Sequence, residues 1–378
     1  MSAPTNQVLC KQDFTDQYIV SLPDAEPLPP LSHHRYAKSG HLFGWWDVHP
    51  LPPSIPEKFK DGAKYGRISA WGFGVVQESN RNDLPIGSLV YGYLPIGTLP
   101  VDLALSPSTV VSGLSDKRLA WDALLKLPLS LAHRLNHYVF AWNEVRLAPP
   151  STLVLGPTPR PPWTMEEANI TDAVVIILAA SGKNAAMFAH QLKFTRPAGS
   201  QIVAVTSQTS RAFVETTGFH DLVCSYDDIK TEAAPDAIAS TLDTGTKVVV
   251  CNFGAQGSSF RTLVMALKPL ARTIPPIGIG SEPKLATPEQ MRQNMAENIA
   301  LGMVQVNASD IFGEAVKKVG RKEFEKEFSK IWGGFLDAGR IPGLAMKMQQ
   351  GMGPWAEGWD ALCSGCPGPD TGLVFKLD

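Results

Sequence analysis

One stretch constrains the fold of this chain more than any other: residues 174–193, VVIILAASGKNAAMFAHQLK. An uninterrupted apolar run, AVVIILAA, enters a turn of small residues, Ala179-Ala180-Ser181-Gly182-Lys183-Asn184-Ala185. An amphipathic segment, SGKNAAMFAHQLKF, follows. A strand with no polar alternation is one covered on both faces, which a parallel sheet flanked by helices provides. The turn must be small if backbone amides at the helix start are to reach an anion, and this strand–turn–helix context is what a dinucleotide fingerprint requires. Read as AxxGxxA, it keeps the central glycine and places alanine at the other two positions.

The pattern then repeats. QIVAVTS reads as a second strand and SRAFVETTG as a short helix ending on Gly218. DLVCSYDDI is a third strand, KVVVCNFG a fourth, and RTLVMALKPLAR a helix before TIPPIGIG. Repeated βα units of this length imply a doubly wound parallel sheet. Such sheets bind ligands outside the carboxyl ends of their strands. That rim holds Asn252 and Phe253 after the fourth strand, and Gly278 and Gly280 after a later one. The second strand ends in VTSQTSR, without the Asp or Glu that would hold a ribose 2′-hydroxyl. Hydroxyls at Thr206, Ser207 and Thr209 with Arg211 suit a 2′-phosphate instead, because arginine matches phosphate geometry bidentately. NADP(H) is therefore expected over NAD(H), the alternative being that Arg211 merely starts a surface helix. Ala180, Ser181, Gly182, Lys183, Asn184, Ser207, Arg211, Asn252, Phe253 and Gly278 are the candidate cofactor contacts.

The chain's first part follows other rules. Residues 1–65 are proline-rich (LPDAEPLPPL, HPLPPSIPEKF), and proline removes a donor, so little helix and few central strands are expected there. Clustered Phe43, Trp45 and Trp46 nonetheless call for packing. GRISAWGFGVVQE and SLVYGYLPIG read as strands around a turn and suit a small antiparallel barrel. Over residues 115–145 the apolar spacing becomes helical. A proline-rich connection covers residues 148–170. From about residue 290 the chain reads mainly helical. The expected division is 1–150 as a first domain, 151–290 as a nucleotide-binding domain, and 291–378 returning to the first.

These phrases resemble the medium-chain dehydrogenase/reductase superfamily, in its zinc-free quinone-oxidoreductase and enoyl-reductase branch. AASGKNAAMFAHQLKF stands where that branch has a GASGGVG-like turn and an AIQLAK-like helix. TTGFHDLVCSY falls where an "LGAD-x-V" phrase enters the third strand, and LPIGSLVYGYLP resembles the "VGDRVYG" phrase of a GroES-like barrel. KVVVCNFG and LKPLARTIPPIGIG resemble the fourth-strand and "LKPGGRxVxxG" phrases. WGFGVVQESN with IGSLVYGYLP resembles the DUF2855 offshoot, whose turn also carries lysine. The resemblance covers roughly residues 65–280, and its coenzyme half is the more specific. It implies an α/β fold, a GroES-like partly open β-barrel plus a Rossmann sheet, and a zinc-independent NADPH-dependent oxidoreductase reducing an activated alkene or carbonyl. The departures matter. Lys183 and Ala185 replace glycines, so Lys183 either bonds the cofactor phosphates or fills space a pyrophosphate would take. The alternative function is a non-redox isomerase, lyase or cyclase with a degenerate cofactor site, or a non-catalytic binding protein.

Composition bounds the rest. With 34 Lys+Arg against 36 Asp+Glu, the net charge of -2 offers no general attraction to nucleic acid or anionic lipid. No apolar run approaches a membrane span of about 20 residues, and the start, MSAPTNQVLCKQDF, lacks a secretory pattern. A cytoplasmic enzyme of secondary metabolism is expected, with a small, largely apolar molecule as its partner and a homodimer as its assembly. Five cysteines do not make a disulfide framework. Cys224 and Cys251 read as buried hydrophobes, and Cys363 and Cys366 (CSGC) as a surface loop. No metal is expected: the first domain offers only Cys10 and His33, His34, His41 and His49, crowded in a proline-rich loop, not a fixed ligand set. Hydride from a nicotinamide needs a proton from the protein, for which Tyr91, Tyr93 and Tyr138 are the candidates, each also readable as a packed aromatic.

Overall fold

A strand buried along nearly its whole length anchors the first sheet. In the computed structural model, which describes residues 3–13, 15–22, 45–101, 110–111, 113–151, 163–197, 199–229, 235–282 and 287–377, strand β1 (Thr5–Cys10) pairs antiparallel with β2 (Gln17–Ser21) and β3 (Tyr65–Gly66). Val8, Val20, Leu22, Ile55, Phe59 and Leu99 close a small core beneath it. Strands β4 (Ser69–Val75), β5 (Leu89–Pro95) and β6 (Val110–Val111) form a second antiparallel sheet. The Gln7 N–H donates to the Ile96 carbonyl at 3.1 Å, joining β1 to the end of β5. These strands belong to one compact unit, residues 1–127 with 284–291 and 345–378. Phe43, His33, His34 and His41 lie outside the described residues.

Residues 128–283 and 292–344 make the second unit. Its parallel strands are β7 (Val174–Leu178), β8 (Gln201–Thr206), β9 (Leu222–Ser225), β10 (Lys247–Asn252), β11 (Arg272–Thr273), β12 (Ile277–Gly278) and β13 (Val304–Gln305). Across the sheet they run β13-β12-β10-β7-β8-β9, with β11 beside β10. The chain steps outward from β7 to β8 and β9, then crosses back to β10 and continues the other way. This is the strand order of a Rossmann fold, with its switch point between β7 and β10. All five residues of β7 are buried, as its unbroken apolar run requires. The helix Lys183–Thr195 covers the sheet with Ala185, Ala186, Met187, Phe188 and Ala189. The helix Arg211–Thr217 stops on Gly218, whose φ of 64° is the left-handed conformation glycine adopts freely.

Two features differ from the sequence pattern. Residues 116–139, helical in their spacing, form one continuous run that is not regular α-helix throughout, with π-turns at Asp122–Lys126 and Leu135–Val139. The first π-turn ends just before Pro128, whose ring would clash with the carbonyl four residues back in a regular α-helix. Near the C-terminus, where the sequence reads mainly helical, two strands, β14 (Ala345–Gln350) and β15 (Thr371–Lys376), pair parallel to each other around the helix Met352–Cys363. Met346 and Met348 on β14 are exposed or half-buried, and its lysine and glutamines face water, so its weak alternation hid it.

Candidate functional site

The small-residue turn follows β7 at the carboxyl edge of the sheet, beside the switch point. Ala179 has φ 58°, a left-handed conformation that costs a non-glycine residue energy. Its N–H donates to the Tyr226 hydroxyl at 2.9 Å. Ala180 is buried and its N–H donates to the Val205 carbonyl, while the Gly182 N–H donates to the Ala179 carbonyl. Gly182 is the N-cap of the helix Lys183–Thr195, in an extended conformation (φ -68°, ψ 144°) and without a side chain to cap it. The first-turn amides of Asn184 and Ala185 therefore point beyond the helix with no intrahelical acceptor. Lys183 stands at the first helical position, half-buried. The helix start offers donors and a partial positive charge, an arrangement suited to an anion.

The next strand supplies hydroxyls. Thr206 ends β8, and its hydroxyl is buried without a hydrogen-bond partner. An orphaned buried polar group calls for a partner from outside the chain, water or ligand. Ser207 Oγ lies 3.0 Å from Thr209 Oγ1 and donates to Ser210 Oγ at 2.9 Å. Arg211 opens the following helix, and its Nε donates to Glu215 Oε1 at 2.8 Å. Both partners of that ion pair are well exposed, so it holds the guanidinium only weakly.

The opposite rim is tightly built. Asn252 Oδ1 accepts the N–H groups of Gly254 and Ala255 at 3.0 and 2.8 Å, and its carbonyl accepts those of Ile279 and Gly280. Gly254 has φ 126°, and a Cβ there would lie 2.5 Å from the Ser281 carbonyl oxygen. A Cβ on Gly280 would come as close to that of Phe253. The loops after β10 and β12 thus touch backbone to backbone, which only glycine permits. Phe253 packs its ring 5.8 Å from that of Phe188. At Gly278 the space for a Cβ is filled by Met303 and Gln305.

The tyrosines part company. Tyr91 and Tyr93 lie on β5 in the first unit, in cross-strand register with Phe73 and Trp71 of β4, with ring centroids 5.1 and 5.8 Å apart. Burial raises the pKa of both phenols. Tyr138 belongs to the second unit and is wholly buried, under the Arg146 guanidinium, with burial and Glu327 raising its pKa to about 12. Sequence reasoning missed Tyr226, although its place one residue past β9, on the ligand-binding edge, was a usable signal. Burial pushes its phenol up to about 12, against the pull of the backbone at Ala179 and Gln256. Among the described residues no three or more His, Cys, Asp or Glu are grouped so as to hold a metal ion. Among the described residues no helix is long and apolar enough to cross a membrane.

Compared with known protein families, residues 34–118 and 107–366 match the one described as a protein of unknown function, DUF2855. The chain belongs to the DUF2855 family. No curated protein matches it. Among solved structures, this DUF2855 member is similar to JamJ enoyl reductase (apo form), at 12% identity and a TM-score of 0.53, covering 99% of this chain and 100% of that one. It is similar to CurK enoyl reductase at 15% identity and a TM-score of 0.51, covering 99% of each chain. The CurF ER cyclopropanase from the curacin A biosynthetic pathway matches at 15% identity and a TM-score of 0.50, again over 99% of each. The fold is the medium-chain dehydrogenase/reductase one, a GroES-like part plus a Rossmann sheet.

Proposed function

We propose that this protein is an NADPH-dependent oxidoreductase that reduces an activated alkene or carbonyl of a small, largely apolar molecule. One observation carries the reading: at the switch point of a Rossmann-ordered sheet, an uncapped helix start lies beside a second strand ending in an unpartnered buried hydroxyl and a serine–threonine cluster, with no carboxylate. Asn184, Ala185 and the turn at Ser181 and Gly182 would hold the pyrophosphate. Thr206, Ser207 and Arg211 would hold the 2′-phosphate end, and Asn252, Phe253 and Gly278 would contribute rim backbone. The bound nicotinamide would supply a hydride; the protein would orient the substrate and supply a proton. Tyr138 is sealed in the interior, so Tyr91 and Tyr93 stay as the proposed donors; both phenols are neutral at physiological pH, as an ordinary tyrosine is, and burial moves them further from ionisation. The enoyl reductases among the structural neighbours carry the same fold.

A second reading, a non-redox isomerase, lyase or cyclase, draws on one feature: the Ala179 N–H in the turn is already bonded to Tyr226. Fluorescence titration with NADPH separates the two. Saturable binding below about 100 μM is expected, and no binding at millimolar NADPH would sink the oxidoreductase reading.

A further inference from the structure

The left-handed φ of 58° at Ala179 has a visible support. Its N–H donates to the Tyr226 hydroxyl at 2.9 Å. Ala179 follows β7, one of the two strands that flank the switch point. Tyr226 comes from the end of β9, two strands away from β7. One hydroxyl thus holds the turn after β7, at the crevice where this sheet order binds a dinucleotide. Where a glycine would take a positive φ without help, alanine needs its conformation held by surrounding structure. Tyr226 is half-buried against the main core of the sheet, so its reach is fixed by packing.

We infer that Tyr226 is a positioning residue for the nucleotide: its hydroxyl holds Ala179 in the left-handed conformation and so aims the turn and the first amides of the helix Lys183–Thr195 at the pyrophosphate. The inference rests on the nucleotide reading above. It assigns Ala179 and Tyr226 as a matched pair, the phenol compensating for the missing glycine. The contact is to the turn and not to the reacting atoms, so Tyr226 acts through Ala179.

The test is a cycle of three variants in the full chain, Tyr226→Phe, Ala179→Gly and the double variant, with NADPH affinity read by fluorescence titration and folding by thermal denaturation. Tyr226→Phe removes one hydrogen bond and leaves a buried N–H unpaired, which should raise the NADPH Kd about tenfold. Ala179→Gly adopts the positive φ unaided, so it should bind normally and restore Tyr226→Phe to within about twofold. A merely structural phenol would lower the melting temperature and show no such rescue. Wild-type protein that ignores NADPH overturns the nucleotide reading, and the inference with it. Wild-type protein that binds NADPH, with Tyr226→Phe binding equally well or more tightly, or with Ala179→Gly failing to rescue it, overturns the inference alone.

Discussion

Serine at position 182 should strengthen the fold while weakening the ligand. Gly182 sits at φ -68°, ψ 144°, a conformation open to every residue, so nothing in the backbone requires glycine there. A Cβ would lie 3.3 Å from the Ala179 carbonyl oxygen, a tight contact that a small shift relieves. Serine is among the best N-caps, and its hydroxyl would accept from the amide of Asn184 or Ala185, stabilising the helix by a few tenths of a kcal/mol relative to glycine. That same amide is then withdrawn from a phosphate. A hydrogen bond to a charged group contributes about 1.5–3 kcal/mol, so Gly182→Ser should weaken NADPH about 10- to 100-fold. The melting temperature should hold or rise by about 1 °C. NADH should weaken equally, since both nucleotides share the pyrophosphate. The assay pairs fluorescence titration with differential scanning calorimetry. Affinity within twofold of wild type, with the fold intact, would show that no phosphate meets this helix start.

Arg211→Ala should weaken NADPH about 10- to 100-fold through a lost charge-assisted bond, with NADH unaffected and stability nearly unchanged, because the exposed Glu215 pair contributes little; equal losses for both nucleotides in parallel titrations would refute the 2′-phosphate assignment. Thr206→Val removes an unpartnered buried hydroxyl, so urea denaturation should show unchanged or slightly raised stability while NADPH affinity falls; a large loss of stability would mean that the hydroxyl is already satisfied inside the protein. Acid should unfold the second unit first. Burial lowers His137, His190 and His220 from 6.5 to about 4, and lowers His133 well below its ordinary value. The unfolded chain then binds more protons, so stability is complete above pH 6.5 and falls as pH drops towards 4. At pH 5 the three histidines near 4 should together cost about 6 kcal/mol, comparable to a whole domain's stability. A urea midpoint unchanged between pH 7 and 5 would contradict this.

The parallel sheet was legible because burial on both faces leaves an unbroken apolar run, and VVIIL, QIVAVT and KVVVCN each show one. Strand order was not written there, since β7 pairs with both β8 and β10 through non-local contacts that no local pattern encodes. The helix start was legible from Gly182 and the small residues around it. Tyr138 and His133 look the same in sequence whether they face a cleft or a core, and the fold buries both. Tyr226 escaped notice because its role is a single hydrogen bond across 47 residues of chain.

Ala179 shows why a fingerprint read residue by residue loses information. Counted alone, alanine in place of the first glycine weakens the case for a nucleotide, since that position takes a left-handed φ that glycine adopts at no steric cost. In the structure the conformation persists at 58°, held from β9 by a phenol. The unit that specifies the turn is therefore a turn residue and a distant tyrosine together, and either is uninformative without the other. The same logic applies at the opposite rim, where Gly254 and Gly280 are required by each other's loops, each lacking a Cβ where the other loop's backbone passes. The two rims thus solve one geometric demand, close backbone approach at the carboxyl edge, by different means. Glycine does it by omission on the β10–β12 side, and a borrowed hydroxyl does it by support on the β7 side.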